Sequence, residues 1–178
     1  MSQIQRIARK CGDWSTALTL CMERSMELPD PLRARIVLAN GVYDGLHPGH
    51  VANLAEAADL GDVLVVSLDA DEDVRQLKGR APTFEWRERA LMVACLSFVT
   101  AITWHTRRPC WRRPVSDCSL PSLIRFLAAD VWAARGSEPL PAEEIAAAVS
   151  AHTEIHRLPR HGLYSSTAIQ EQFKAQTP

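Results

Sequence analysis

The sequence predicts an α/β domain: a parallel five-stranded sheet with helices on both faces. Short β-branched runs, clearest at Ile36-Val37-Leu38-Ala39 and Val63-Leu64-Val65-Val66, alternate with longer stretches of helix formers. Strands separated by helical stretches require right-handed crossovers, and these produce a parallel sheet. The prolines agree with that division, because Pro82 and Pro121 lie near helix starts and Pro139 and Pro141 in a turn. A chain of 178 residues, 47% of them hydrophobic, supports one well-cored domain and hardly two.

Taken in order, Ile4, Ile7, Cys11, Trp14, Leu18 and Cys21 recur at alternating three- and four-residue steps, a helical apolar seam. Gly12 and Asp13 break it into a short and a longer helix, Asp13 capping the second, and Pro29 and Pro31 end it. Residues 1–33 read as a helical extension docked on the core, with a dimer contact as the alternative; residues 34–178 form the main domain. Within it, strands are expected near 35–39, 62–68, 99–103, 130–134 and 153–157. Helices are expected near 48–60, 71–77, 85–97, 119–128, 141–150 and 166–174. The arrangement is Rossmann-like.

The most informative stretch is N-G-V-Y-D-G-L-H-P-G-H, Asn40 to His50, between the first strand and an alanine-rich helix. It falls at a strand's carboxyl end, where ligands of open α/β sheets collect. The helix start is an anion site, since its first N–H groups lack intrahelical partners and the dipole is positive there. His47 and His50, three apart, project from one side of the first turn; Pro48 pre-sets the helical φ, and Gly49 leaves room at the backbone. Two imidazoles over an anion-binding helix end point to phosphate chemistry.

H-P-G-H resembles the H-x-G-H signature of the nucleotidyltransferase superfamily, and G-V-Y-D-G-L-H resembles its G-x-F-D-x-x-H lead-in. Glycerol-phosphate cytidylyltransferases and the nucleotidyl half of ADP-heptose synthase are the nearest look-alikes. Further matches follow in order: Leu60-Gly61-Asp62 with the strand after it, Lys78-Gly79, Arg89 in an E-x-R helix, and R-H-G-L-Y-S-S-T from Arg160 to Thr167. The resemblance implies that His47, His50, Lys78 and Arg160 act on the triphosphate. It assigns nucleotide binding to Asn40, Gly41, Val42, Tyr43, Gly49, Arg135, Gly136, Tyr164, Ser165, Ser166 and Thr167. Asp44 would lie near the acceptor or the metal, although a lone Asp there equally suits an Asx-turn. Arg89 would bind acceptor or phosphate, the alternative being an i,i+4 pair with Glu85. Mg²⁺ would accompany the triphosphate, with no protein ligand assigned to it.

The implied reaction moves a nucleoside monophosphate to a small phosphate- or phosphonate-bearing acceptor, with CTP favoured over ATP. Two departures bear on that preference. Ala134-Arg135-Gly136-Ser137-Glu138 stands where the look-alikes carry V-K-G-x-D, and Y-S-S-T leans toward the I-S-S-T of nicotinamide-mononucleotide adenylyltransferases. Alternatives are an adenylyltransferase acting on a sugar phosphate or mononucleotide, and a non-catalytic nucleotide-binding module. A tRNA synthetase reading is set aside for want of a K-M-S-K-S stretch.

A net charge of −1 gives no field to recruit nucleic acid or anionic membrane, and no apolar run reaches membrane-spanning length. Five irregularly spaced cysteines without C-x-x-C suit a reducing cytoplasm, and Gly12-Asp13 argues against a cleaved signal peptide. Related enzymes are often dimers, so a homodimer is an expectation. From Trp104 to Cys118 the connection is longer than expected and carries Arg107, Arg108, Arg112 and Arg113 with Trp104 and Trp111. It reads as a solvated loop, as a lid whose guanidiniums reach substrate phosphates, or least readily as an RNA-stacking loop. His105, Cys110 and Cys118 match no usual zinc spacing and lack a fourth ligand.

Overall fold

The computed structural model describes residues 1–107, 117–136, 139–159 and 161. Five parallel strands make one sheet: β1 (Ile36–Gly41), β2 (Val63–Asp69), β3 (Ala101–His105), β4 (Val131–Arg135) and β5 (Glu154–Leu158), in the order β3-β2-β1-β4-β5. The expected strands all appear, displaced by one or two residues toward the carboxyl side. That displacement matters after the third strand, where Trp104 and His105 belong to β3 rather than to the arginine-rich connection. Residues 108–116 of that connection lie outside the described residues, as does the helix expected at 166–174.

Helices α3 (Pro48–Ala58) and α5 (Trp86–Ala94) cover one face, where Leu54, Ala57, Ala90 and Val93 pack on Val37, Leu64, Val66 and Ile102. Helices α2 (Trp14–Ser25), α6 (Leu120–Leu127) and α7 (Ala142–Ser150) cover the other, where Ala17, Leu123, Ile124 and Ala148 pack on Leu38, Val65 and Trp132. Alternate strand residues feed the two cores, so every residue of β2 is buried. Helix α4 (Asp71–Lys78) follows β2 and ends at Gly79, whose φ of 65° is the left-handed conformation a helix C-cap favours.

Two local details explain sequence features. The L-G-D motif closes the turn into β2: Asp62 accepts from the Arg35 N–H, while the N–H groups of Asp62 and Val63 both donate to the Arg35 carbonyl. A Cβ on Gly61 would lie 2.6 Å from that carbonyl oxygen, so only glycine fits. At the β3 edge of the sheet, α1 (Gln3–Arg9) and α2 are split as Gly12 and Asp13 suggest, with Asp13 accepting from the Thr16 N–H. Between them the chain runs beside β3, exchanging bonds from Gly12 N to the Ile102 carbonyl and from Ile102 N to the Lys10 carbonyl. The N-terminal segment thereby covers an edge strand that would otherwise present unpaired backbone groups.

Candidate functional site

The strand order reverses at β1, whose neighbours are β2 on one side and β4 on the other. Such a switch point opens a crevice at the carboxyl ends of the strands. The chain leaves β1 through Tyr43 and Gly45, both at positive φ, and enters α3 with His47 as N-cap and Pro48 as its first residue. The His47 and His50 rings are brought together as the spacing predicts. They stack with centroids 3.6 Å apart and planes 21° apart, and Tyr43 meets His50 edge-on at 5.2 Å.

His47 Nδ1 accepts from the His50 N–H at 3.3 Å. An acceptor Nδ1 goes with the tautomer that carries its proton on Nε2, and the same His50 N–H also donates to the His47 carbonyl at 2.9 Å. Gly49 has a further reason to be glycine. A Cβ there would lie 2.9 Å from the His161 carbonyl oxygen, so the chain after β5 crosses directly over the helix start. His161 Nε2 also lies 2.8 Å from Glu56 Oε1 on α3, fixing that crossing. Arg160, Tyr164, Ser165, Ser166 and Thr167 lie outside the described residues.

Around this centre the remaining candidates divide. Asn40, at the carboxyl end of β1, accepts from the Trp132 indole N–H at 2.9 Å, which ties β1 to β4 across the switch point. Gly136 follows β4 with a φ of 81°. Lys78 is exposed at the end of α4.

Two candidate side chains are engaged within the fold. Among the described residues Arg89 pairs with Asp71 and not with Glu85. Its side chain is 0% exposed, and it donates to the carbonyls of Phe84 (3.1 Å), Asp69 (2.8 Å) and Val42, and to Asp71 Oδ1 (2.6 Å). It clamps the loop after β1, the end of β2 and the segment leading into α5. Asp44 is likewise a strut: only 2% exposed, it accepts from the N–H groups of Thr83 (2.8 Å) and Phe84 (3.2 Å), the Thr83 hydroxyl and the Arg80 guanidinium (3.1 Å). Burial works to raise its pKa, but these donors outweigh burial and hold it below the usual carboxylate range. Both oxygens are engaged with the segment from Arg80 to Phe84. Among the described residues no group of three His, Cys, Asp or Glu side chains could hold a metal ion.

The structure also gathers polar residues that motif matching passed over. At the ends of β2 and β3, His105 lies between Ser67 Oγ (2.9 Å from Nδ1) and Asp69 Oδ1 (3.4 Å from Nε2), all buried. Burial would raise the Asp69 pKa, but the His105 ring and the guanidiniums of Arg107 and Arg89 override it and lower it. Glu144, in the first turn of α7, moves the opposite way, its pKa raised by burial against the opposing charges of Arg107 and His105. Their position was the available signal: S-x-D and H-T-R each occur where a predicted strand ends.

A family model described as cytidylyltransferase-like matches residues 38–171. Among curated proteins, the chain is 32% identical over 157 residues to the bifunctional protein HldE of Helicobacter pylori (strain HPAG1), covering 87% of this chain and 31% of that protein. It is 43% identical over 70 residues to the bifunctional protein HldE of Desulfatibacillum aliphaticivorans, covering 39% of this chain and 14% of that protein. The chain thus spans about a third of the length of the curated relatives it matches. Among solved structures it shares its fold with the lipopolysaccharide core biosynthesis protein from Thermoplasma volcanium GSS1 (TM-score 0.58, 22% identity, 72% of this chain and 99% of that one). It shares it also with a bifunctional NMN adenylyltransferase/ADP ribose pyrophosphatase from Francisella tularensis, solved with AMP and a manganese ion (TM-score 0.55, 12% identity, 80% of this chain and 42% of that one).

Proposed function

The chain belongs to the cytidylyltransferase-like family, and on that premise we propose that it transfers a nucleoside monophosphate from a triphosphate to a small phosphate-bearing acceptor, releasing pyrophosphate. The observation that carries this reading is the stacked His47–His50 pair on the N-terminus of α3, at the point where the strand order reverses. In this reaction an acceptor phosphate oxygen attacks the α-phosphorus in line, the bond to the bridging oxygen breaks, and the electron pair leaves with pyrophosphate. The nucleophile is already an anion, so no strong general base is required. What the protein supplies is alignment and donors for the charge that develops on the non-bridging oxygens.

On this reading the phosphates lie over the first turn of α3, where unpartnered N–H groups and the helix dipole favour anions. His47, with its proton on Nε2, and His50 donate to the oxygens of the transferring group. Lys78, exposed beside Gly79, extends to the leaving phosphates, and Arg160, Tyr164, Ser165, Ser166 and Thr167 complete the triphosphate cradle. Asn40, Gly41, Val42, Tyr43, Gly49, Arg135 and Gly136 border the nucleoside. Mg²⁺ enters as the triphosphate's own counter-ion, and no step here is assigned to a protein-held metal.

We favour ATP over CTP as donor and a sugar phosphate as acceptor. The sequence preference for CTP rested on the look-alike motifs, and the family description leaves the base open. Toward ATP point the Y-S-S-T variant, the AMP in the Francisella adenylyltransferase structure, and the long match to HldE, whose nucleotidyl half the motifs resemble as ADP-heptose synthase. A phosphonate presents a similar dianion and belongs in the same panel.

The test is pyrophosphate release with Mg²⁺, ATP and CTP in parallel, against pooled sugar phosphates, polyol phosphates and phosphonates. Release with one triphosphate and one pool, reduced about 10²–10³-fold in His50→Ala as for loss of one transition-state donor, supports the proposal. Tight nucleotide binding with silence in every pool, unchanged by His50→Ala, moves the protein to the non-catalytic module.

A further inference from the structure

We propose that Arg80 is a positioning residue for the reaction: by bridging to Asp44 it ties the turn that carries Lys78 to the loop that carries His47. The inference rests on the transferase reading above, in which Lys78 extends to the leaving phosphates.

Lys78 is poorly held by its own surroundings. It is the last residue of α4, and Gly79 reverses the chain after it at a φ of 65°. A lysine is a point charge on a flexible four-carbon stem, so its working position depends on where its backbone is held. From Arg75 to Ala81 every residue except Arg80 is exposed, and a Cβ placed on Gly79 would meet no atom within 4 Å. A turn with so few packed neighbours belongs to the easily opened part of a fold. A tie from elsewhere is needed if Lys78 is to meet a triphosphate in a repeatable geometry.

Arg80 supplies that tie. Its Nη1 donates to Asp44 Oδ2 at 3.1 Å and to the Ala81 carbonyl at 2.8 Å. The second bond holds the guanidinium against its own turn, and the first joins that turn to the loop after β1, 36 residues earlier. The Asp44 end is the fixed one, its side chain 2% exposed against 32% for Arg80. Asp44 Oδ1 accepts from the N–H groups of Thr83 and Phe84, and Arg89 donates to the carbonyls of both Val42 and Phe84. Those bonds secure the far end of the segment at Thr83 and Phe84. The Arg80–Asp44 pair is the tie that lies close to Lys78.

What stands on each side of the bridge gives it a role in the reaction. Asp44 is three residues before His47, the N-cap of α3, and Arg80 is two residues after Lys78. One ion pair thus sets the turn of the lysine against the loop of the histidine pair. Losing it should disturb the fold little. The guanidinium is partly exposed, and Asp44 keeps its three donors from Thr83 and Phe84. A misplacement of about 1 Å in a group that works on the reacting phosphates, by contrast, costs about 10²-fold in rate. The bridge is therefore read in activity rather than in stability.

A double-mutant cycle tests this. Pyrophosphate release is measured for the wild type, Arg80→Ala, Lys78→Ala and the double variant, with unfolding curves showing that each is folded. Arg80→Ala should lower release about 10- to 10²-fold. In the Lys78→Ala background the same change should alter it by less than about threefold, because a residue that acts through the lysine has nothing left to place. Arg80→Lys should recover part of the loss, since Nη1 alone makes both bonds and an ammonium can donate to the same two acceptors. Asp44→Asn, which weakens the pair from the other side, should show the same dependence on Lys78. Losses that multiply in the double variant, or an Arg80→Ala that releases pyrophosphate as the wild type does, overturn the inference. A wild type silent with every triphosphate and acceptor pool removes the transferase reading instead. The cycle is then read in triphosphate affinity by calorimetry, where coupled losses keep the link between Arg80 and Lys78 and additive losses, or none, remove it.

Discussion

Replacing Arg89 separates the two parts it has been given. If it is the clamp described here, Arg89→Ala removes four hydrogen bonds and strands Asp71 beside the carbonyls of Val42, Asp69 and Phe84. Removing one member of a buried ion pair costs about 3–5 kcal/mol. Carbonyls deprived of a donor add about 1 kcal/mol or more each unless water enters. Asp71 keeps 26% of its side chain exposed, which softens the penalty, so a total of about 4–6 kcal/mol is reasonable from those terms. Against a usual stability of about 5–15 kcal/mol this is a large fraction. For a chain of this length it corresponds to a fall in Tm of roughly 10–20 °C. Arg89→Lys should recover little of it, because an ammonium cannot span four acceptors set around a fork. Urea unfolding followed by circular dichroism measures the loss, and acceptor KM is measured at a temperature where the variant is folded. Stability within about 1 kcal/mol of wild type, combined with a large rise in acceptor KM, would refute the clamp and restore Arg89 to the acceptor site.

His47→Asn should keep the N-cap, since Asn caps well, and so retain stability while losing most pyrophosphate release; His47→Ala should lose the release and about 1 kcal/mol of stability as well. Gly49→Ala should cost about 1–3 kcal/mol, as for an overpacked site, because its Cβ meets the His161 carbonyl at 2.9 Å; unfolding curves and triphosphate titration should both register it. Asp44 and Asp69 have folded pKa values below the usual range. Their stabilisation is therefore fully present above the ordinary carboxylate value of about 4 and is lost as pH falls through the lowered folded values. Asp44→Asn should flatten that acid loss in urea unfolding between neutral pH and pH 3. Glu144 has the opposite sign, its pKa being raised: the fold favours the protonated acid, and stability falls as pH rises through the raised value. Glu144→Gln should gain stability at neutral pH, and the gain should vanish below the ordinary Glu value of about 4.3.

The sheet was legible because its evidence is redundant. A β2 buried on both faces must be a continuous apolar run, and Val63-Leu64-Val65-Val66 can be little else. The L-G-D turn was legible as a motif, but its reason was not: that Gly61 must be bare because the Arg35 carbonyl lies against it is a contact across 26 residues of chain. The histidine pair was legible for a local reason, since three-residue spacing on a helix start fixes the geometry before any tertiary contact forms. The N-terminal segment shows the limit. Its helical period and the break at Gly12 could be read, whereas its pairing with Ile102 could not, because edge coverage depends on which strand is left at the edge.

Arginines and carboxylates were the hardest to read, and the reason is physical. In a sequence a guanidinium is a charge with five donors; whether those donors are available depends on how many acceptors the fold brings to it. Arg89 sits in a family-like motif and looks like a ligand-binding residue, yet the ends of β1 and β2 converge on it and engage it completely. Arg107 sits in an irregular basic stretch that most readily reads as solvated, yet β3 ends in a way that fixes its backbone on Asp73 and sets its head group 3.8 Å from Asp69. Asp44 and Asp69 repeat the contrast among acids, one with both oxygens engaged by a neighbouring loop, the other facing His105 and Arg107. Motif identity therefore predicts where a charged side chain lies along the chain, and the count of partners it meets there decides whether it holds the fold together or waits for a ligand.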